Sequence, residues 1–311
     1  MKKISVVIPI YNEKENIDEL ISSISSVMAE NNYSYEIIAV DDGSRDGSYE
    51  QLKQIKQTNK DLKIIKFKKN YGQTQAIMAG FDASIGDMVI TIDADLQNDP
   101  QDIPLLVEKI DQGYDIVSGW REKRKDNFII RRLPSIIANK LISWFTGVNL
   151  HDYGCTLKAY KSKVIKNIRL YGQLHRFIPA VAARMGVSLL EIKVKHYPRK
   201  KGKSKYGIFR IWTVLLDLIT VKFFLSYSGR PMQFFGSFGL VGMVFSFIIF
   251  IVTIYMKLMK SIDMTGNPLF YLAIFLGFIG MQCILMGLLG EINIRTYYES
   301  LNKGTYVIDE E

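Results

Sequence analysis

DMVITIDADLQNDP (Asp87–Pro100) joins an apolar run to a cluster of carboxylates. Asp87–Ile92 reads as a strand buried on both faces, the pattern of an inner strand in a parallel sheet. It runs directly into Asp93-Ala94-Asp95, with Gln97 and Asp99 close behind. Alternate residues of an extended segment project to one side, so Asp93 and Asp95 converge. Converging carboxylates are hard oxygen ligands suited to Mg2+ or Mn2+. Such an ion bridges a diphosphate and offsets the charge that develops as a nucleoside diphosphate leaves. An isolated Asp-x-Asp is weak evidence, because solvated acidic pairs are common in turns. Its place at the end of a buried strand favours the metal.

The flanking sequence alternates strand and helix. Ser5–Ile10, Tyr35–Val40, Lys63–Phe67 and Asp115–Gly119 read as further strands. Glu15–Ala29 has helical spacing at Ile17, Leu20, Ile21, Ile24, Val27 and Met28, and Tyr49–Gln57, Thr74–Ser84 and Pro104–Gln112 also read as helices. Alternation of this kind predicts an α/β fold, a Rossmann-like, mostly parallel sheet flanked by helices, with its site at the carboxyl ends of the strands. Asp41, Asp42, Asn70, Asp93 and Asp95 all fall at those ends. Asp41-Asp42-Gly43-Ser44 has the composition of a plain turn, but carboxylates placed there also accept from nucleobase N–H groups or ribose hydroxyls. Further on, Ile129–Trp144, Ser162–Leu170 and Phe177–Met185 read as helices and Leu189–Lys195 as a late strand.

Gln233–Met256 and Pro268–Gly290 contain no Lys, Arg, Asp or Glu. Each is long enough to cross a hydrocarbon core of roughly 30 Å at about 1.5 Å per helical residue. The short Lys257–Asn267 connection predicts a transmembrane hairpin with both ends of the chain on one side. Ile208–Leu225 carries Arg210, Thr213, Asp217 and Thr220 on a narrow stripe, the pattern of an interfacial helix. The expected organisation is therefore a catalytic domain at 1–207, juxtamembrane helices at 208–230, a two-span hairpin at 231–290 and a tail at 291–311.

The net charge of +9 is concentrated, with eight Lys or Arg residues in Lys193–Arg210 and six in Trp120–Arg132. Next to two spans, phosphate groups and anionic membrane lipids are better partners for such patches than nucleic acid. Cys155 and Cys283 are the only cysteines and have no metal-site or disulfide spacing. The N-terminal apolar run is too short for a signal segment. Together with Lys222 and Arg230 before the first span, this places the catalytic part on the cytoplasmic face of an integral membrane protein.

VVIPIYNEKENI (Val6–Ile17), VDDGSRDGS (Val40–Ser48), NYGQTQAIMAG (Asn70–Gly80) and TIDADLQNDP (Thr91–Pro100) resemble glycosyltransferase family 2 enzymes of GT-A fold. DYGCTLKAYKS (Asp152–Ser162), QLHRFIPA (Gln173–Ala180) and HYPRKKGKSKYG (His196–Gly207) are similar to the polyprenyl-phosphate hexosyltransferase branch, bactoprenol glucosyltransferases and dolichol-phosphate mannose synthases included. The resemblance spans about Lys3–Gly207, and the two-span tail is like that of the bactoprenol glucosyltransferases. It implies that Pro9, Tyr11, Glu13, Asp41 and Asp42 hold the nucleoside, and that Asp93 and Asp95 bind the metal with Gln97 as a further ligand. It also implies that Arg121, Arg131 and Ser135 approach the acceptor phosphate, that Arg199 and Lys205 close over the donor, and that Asp152 acts near the acceptor. The QxxRW motif of processive relatives is absent from the sequence, which argues against polymer synthesis.

The expected reaction is an inverting, metal-dependent transfer of one hexose, first choice glucose from UDP-glucose, to polyprenyl phosphate. GDP-mannose and UDP-aminosugars are alternatives. A lipid monophosphate is largely ionised near neutral pH, its second pKa being about 6. It needs guidance past a negatively charged donor more than it needs a base. Asp152 is therefore read as an orienting residue, for instance by pairing with a cation, rather than as a proton acceptor. A neutral lipid acceptor would reverse that assignment. A nucleotidyltransferase has no use for the spans, and a non-enzymatic scaffold has no use for Asp93, Asp95, Asp152 and Arg131. Two short spans are too few for a translocation path, so flipping of the product calls for a separate flippase; a homo-oligomer is left open.

Overall fold

The computed structural model describes residues 2–122, 139–140, 142–144, 146–168, 174–183, 185–198, 220, 222–223 and 230–300, the side chains of 297–300 excepted. They form two compact units, Met1–Val221 and Lys222–Glu311.

The first unit is built on a seven-stranded sheet in the order β3-β2-β1-β4-β6-β5-β7. Its strands are β1 (Lys3–Ile10), β2 (Ser34–Asp41), β3 (Leu62–Lys66), β4 (Met88–Thr91), β5 (Ile116–Trp120), β6 (Lys158–Lys161) and β7 (Leu189–Lys193). β1 pairs in parallel with both β2 and β4, so the chain reverses its winding direction there. A crevice at the carboxyl ends is the geometric consequence. β6 runs antiparallel between β4 and β5, which makes the sheet mixed. The sequence pattern gave no sign of this strand: four residues, KAYK, with Lys at both ends, do not read as an inner strand.

The helices are α1 (Lys14–Glu30), α2 (Ser48–Thr58), α3 (Gln73–Ala83), α4 (Ile103–Asp111), α5 (Ser162–Lys166) and α6 (Ile178–Ala183). α1 buries Ile17, Leu20, Ile21, Ile24, Val27 and Met28, the residues its spacing selects. They pack with Leu52, Ile103, Leu106 and Val107 on one face of the sheet. Ala76, Ile77 and Phe81 of α3 pack with Val164, Ile165 and Ile178 on the other. Each fully buried Ile, Leu or Val contributes about 1.5–3 kcal/mol relative to exposure, so the sheet is sealed on both faces. Chemistry is left to its rim. α5 is shorter than its expected span because Asn167 closes it.

The second unit holds two long helices, α7 (Pro231–Lys260) and α8 (Pro268–Ser300). Both are long and apolar enough to cross a membrane. Phe238, Phe247, Phe275 and Phe278 are exposed on the pair, which suits a lipid surrounding rather than a soluble core. The helices run past the uncharged segments to take in Lys257, Lys260, Glu291 and Arg295.

Their contact is set by small residues. A Cβ on Gly239 would lie 2.6 Å from the Gly280 carbonyl oxygen, and one on Gly280 would lie 2.8 Å from that of Gly239. Ser246 Oγ donates across the pair to the Ala273 carbonyl at 2.6 Å. Close backbone approach of this kind replaces the hydrophobic effect as the source of helix association in lipid. Gly280→Leu should cost the hairpin about 1–3 kcal/mol, the range for overpacking. Oxidative cross-linking of a Ser246→Cys, Ala273→Cys pair in membranes reads this out: the yield should drop sharply in the Gly280→Leu background, and an unchanged yield counts against the packing account.

All but residues 220, 222 and 223 of the helix expected at Ile208–Leu225, and the first part of that at Ile129–Trp144, lie outside the described residues, as does the end of the tail beyond Ser300.

Candidate active site

β1, β2 and β4 deliver their carboxyl ends side by side. Ile10 is in register with Asp41, and the Asp42 N–H donates to the Ile10 carbonyl at 2.8 Å. Val7 is in register with Thr91, and its carbonyl accepts from Ile92 N–H at 3.2 Å. Pro9, Tyr11 and Glu13 at the end of β1 therefore stand between the Asp41-Asp42 turn and the Asp93–Asp95 segment. Pro9, Tyr11 and Glu13 are half-buried.

The two neighbouring aspartates are used differently. Asp42 accepts through Oδ1 from Tyr71 N–H (2.6 Å) and through Oδ2 from Gly72 N–H (2.9 Å) and Asn70 Nδ2 (2.9 Å). It ties the 70–72 loop to the end of β2. Gly72 sits at φ +100 where that loop enters α3, a conformation side chains disfavour. Burial raises the pKa of Asp42, with the two backbone donors opposing that rise. Asp41 is wholly buried; its Oδ1 receives Ser44 N–H at 3.3 Å, while Oδ2 has no hydrogen-bond partner among the described residues. An orphaned buried carboxylate oxygen costs about 1–3 kcal/mol or more. Among the described residues it is an unused acceptor at the rim of the sheet.

Asp93 Oδ1 accepts from Gln73 Nε2 at 2.8 Å, and Thr156 also bonds the carboxylate. Burial, then the charge of Asp95, pushes the Asp93 pKa up to about 6. Asp95 is buried and accepts from the Gln97 N–H at 3.2 Å, across Leu96 at φ +58. The Gln97 amide reaches the Tyr197 carbonyl at 3.4 Å and its own carbonyl accepts Tyr197 N–H at 2.9 Å, so Gln97 fastens the segment to the chain after β7. Among the described residues no three His, Cys, Asp or Glu side chains converge as a closed metal cage. A part-buried Asp93 and a buried Asp95, two positions apart, still fit an open cation site, whose remaining ligands come from phosphate and water.

Arg121 follows β5 and grips Asp152. Its Nε donates to Oδ2 at 2.7 Å and one terminal nitrogen donates to Oδ1 at 3.0 Å. Burial works against the charged guanidinium, but the hydrogen bonds and charge of Asp152 outweigh it and raise the pKa. Gly154 allows this closeness: a Cβ there would lie 3.1 Å from the Arg121 terminal nitrogen. The Glu191 carboxylate on β7 accepts from Asp152 N–H (2.9 Å), His151 N–H (3.0 Å) and His151 Nδ1 (2.7 Å). Arg121 thus spends its bidentate edge inside the protein, where the resemblance implied a phosphate contact. Arg131, Ser135, Arg199 and Lys205 lie outside the described residues.

Sequence reasoning missed Gln73, Thr156 and Lys158, although NYGQTQAIMAG and DYGCTLKAYKS contain them. His175 is buried; its Nδ1 pairs with Thr74 Oγ1 at 2.8 Å, and burial, aided by Arg176, holds its pKa down to about 3.

Residues 5–169 match the family model for glycosyl transferase family 2, and the chain belongs to that family. It is a glycosyltransferase of GT-A fold. Over 310 residues it is 39% identical to the dodecaprenyl-phosphate galacturonate synthase of Rhizobium johnstonii, covering 98% of this chain and 92% of that one. Over 307 residues it is 39% identical to the undecaprenyl-phosphate 4-deoxy-4-formamido-L-arabinose transferase of Edwardsiella ictaluri, covering 98% and 93%. In fold it is similar to the glucosyl-3-phosphoglycerate synthase of Mycobacterium tuberculosis, solved with Mn2+ and UDP, with a TM-score of 0.57 at 17% identity, over 71% of this chain and 79% of that one.

If the Asp41 Oδ2 orphan is a nucleoside acceptor, Asp41→Asn should weaken UDP binding about tenfold, within the range for a hydrogen bond to a charged group. Calorimetric titration checks this; equal affinity in the variant would assign Asp41 to the turn alone.

Proposed function

We propose that the chain transfers one glycosyl unit from a nucleoside-diphosphate sugar to a polyprenyl phosphate at the cytoplasmic membrane surface, with inversion at the anomeric carbon. The observation that carries this reading is the shared rim: Asp41, Asp93, Asp95 and the Arg121–Asp152 pair all stand at one edge of the sheet, in a chain that also has two membrane-length helices. The long, nearly full-length likeness to two polyprenyl-phosphate sugar transferases supports the acceptor.

Asp41 receives the base, and Pro9, Tyr11 and Glu13 line the nucleoside. Asp93 and Asp95 would hold Mg2+ or Mn2+, with Gln97 supporting Asp95 from the backbone. Bound there, the cation supplies charge compensation for the departing diphosphate. Gln73 orients Asp93, and Asp152 holds Arg121 in place. Arg131 and Ser135 receive the lipid phosphate, while Arg199 and Lys205 cover the donor. An ionised phosphate attacks without a base, so Asp152 serves by fixing a cation.

UDP-glucose, the donor expected from sequence, draws no support from the relatives, whose names specify a uronate and a formamido pentose. We take a sugar of that kind as the better donor. Detergent-solubilised protein, Mn2+ and undecaprenyl phosphate should convert at least one labelled nucleotide sugar from a panel of uronate, formamido-pentose, glucose, mannose and aminosugar donors into a butanol-extractable product. Failure with every donor refutes the activity; turnover with glucose alone restores the first choice.

A further inference from the structure

Lys158 is a buried lysine that the proposed chemistry does not use. Only 3% of it is exposed. It opens β6, where it is in register with Thr91 of β4 on one side and Ser118 of β5 on the other. Thr91 lies two residues before Asp93 and Ser118 three before Arg121. β6 is antiparallel to both, so its first residue stands at the rim where β4 and β5 deliver those groups. The Lys158 ammonium donates to the Tyr153 carbonyl at 3.4 Å and, more closely, to the Cys155 carbonyl. It therefore grips the turn that follows Asp152, while Glu191 grips the N–H groups of His151 and Asp152 from the other side.

A charge in this place is unusual, because a buried ammonium is costly unless it has a task. Burial pulls its pKa down, and the charges of Asp152 and Asp93 act against that. Two carbonyl dipoles could be satisfied by a neutral donor, so hydrogen bonding alone does not call for a cation. What the surroundings do contain is carboxylate charge, that of Asp152 and Asp93, with the Arg121 guanidinium beside it and Arg176 lining the same cavity.

We propose that Lys158 is a positioning residue whose ammonium restrains the Asp152 turn and offsets the carboxylates at the rim, weakening their hold on a divalent cation while favouring the charge that develops on the departing diphosphate. This rests on the reading of Asp93 and Asp95 as the cation seat. Lys158 acts through the turn after Asp152 and through the local field.

A structural peg and a charge device differ in what their loss does to metal binding. Removing a peg loosens the site, so Mn2+ binds equally or more weakly. Removing a cation deepens the negative potential, so Mn2+ binds more tightly.

The test compares full-length parent, Lys158→Gln, which keeps a donor without charge, and Lys158→Arg, which keeps the charge. Free Mn2+ is followed by electron paramagnetic resonance, with thermal melting as a check on folding and steady-state kinetics on the donor found by the panel. We expect Lys158→Gln to bind Mn2+ about fivefold more tightly, the size of a nearby unit charge acting through a high effective dielectric. Its kcat should fall about tenfold or more with a smaller change in donor KM, as for loss of a charge-stabilising group. Lys158→Arg should restore parent-like Mn2+ affinity and part of kcat.

A folded Lys158→Gln with unchanged or weaker Mn2+ binding overturns the inference. Should Lys158→Gln fail to fold while Lys158→Arg folds and turns over, the charge is still what the position requires. Failure of both to fold makes Lys158 a packing residue and overturns the inference. A parent protein that binds no Mn2+ refutes the cation seat itself, and the inference with it.

Discussion

Asp93→Ala combined with Asp95→Ala should lower turnover by about a thousandfold or more, equivalent to about 4 kcal/mol of transition-state stabilisation, while the protein stays folded. Folding should survive because both side chains lie past the end of β4 and outside the apolar cores. It should even gain slightly at neutral pH. The Asp93 pKa is raised to about 6, so the folded state binds this proton more strongly than the unfolded chain does. For such an acid, stability falls as pH rises from about 4 to about 6 and is flat above. At pH 7 the cost of burying the charged carboxylate, and then its repulsion with Asp95, is fully expressed, and removing the pair relieves both. The same linkage governs metal binding: below about pH 6 a cation must displace a proton, so affinity should drop by up to tenfold per pH unit. Turnover assays with melting curves at pH 5 and pH 7 check both statements. Full activity in the double variant would refute the metal role.

The second large effect is expected at Asp152. Asp152→Asn leaves a buried Arg121 guanidinium without its counter-charge, and breaking a buried pair from one side costs about 3–5 kcal/mol. The side chains are 4% and 12% exposed, so solvent gives little relief. Melting temperature should fall, and turnover should fall about a hundredfold or more because Arg121 is no longer held. A double variant, Arg121→Met with Asp152→Asn, should recover most of the stability and none of the activity. If Asp152 were instead a free base, Asp152→Asn would abolish activity with no loss of stability. The double-mutant cycle separates these outcomes.

The fold was largely legible in the sequence because burial imposes period. β1, β2 and β4 are apolar on both faces, and α1 repeats its apolar residues every three or four positions, so strand and helix could be told apart. β6 was invisible for the opposite reason: its short, lysine-flanked stretch owes its strand state to neighbours on either side, which no local pattern records. The site was legible where chemistry is concentrated in one residue type, as at Asp93 and Asp95. It was less legible where a residue's role depends on who reaches it. Asp41 and Asp42 are neighbours of identical composition, yet the 70–72 loop satisfies one while an oxygen of the other has no partner among the described residues. Arg121 reads as a phosphate ligand in sequence and spends its strongest hydrogen bonds on Asp152 in the folded chain. Gln73 and Lys158 carried no signal, since an amide or a lysine means nothing until its partner is known.

The central claim, that the Asp93–Asp95 pair seats a cation that in turn seats a diphosphate, is tested most directly by calorimetric titration of UDP into the full-length protein with and without Mn2+. The account predicts that Mn2+ tightens UDP binding in the parent and leaves it unchanged when both aspartates are alanine. Equal UDP affinity with and without Mn2+ in the parent, or the same tightening in the double variant, would contradict it.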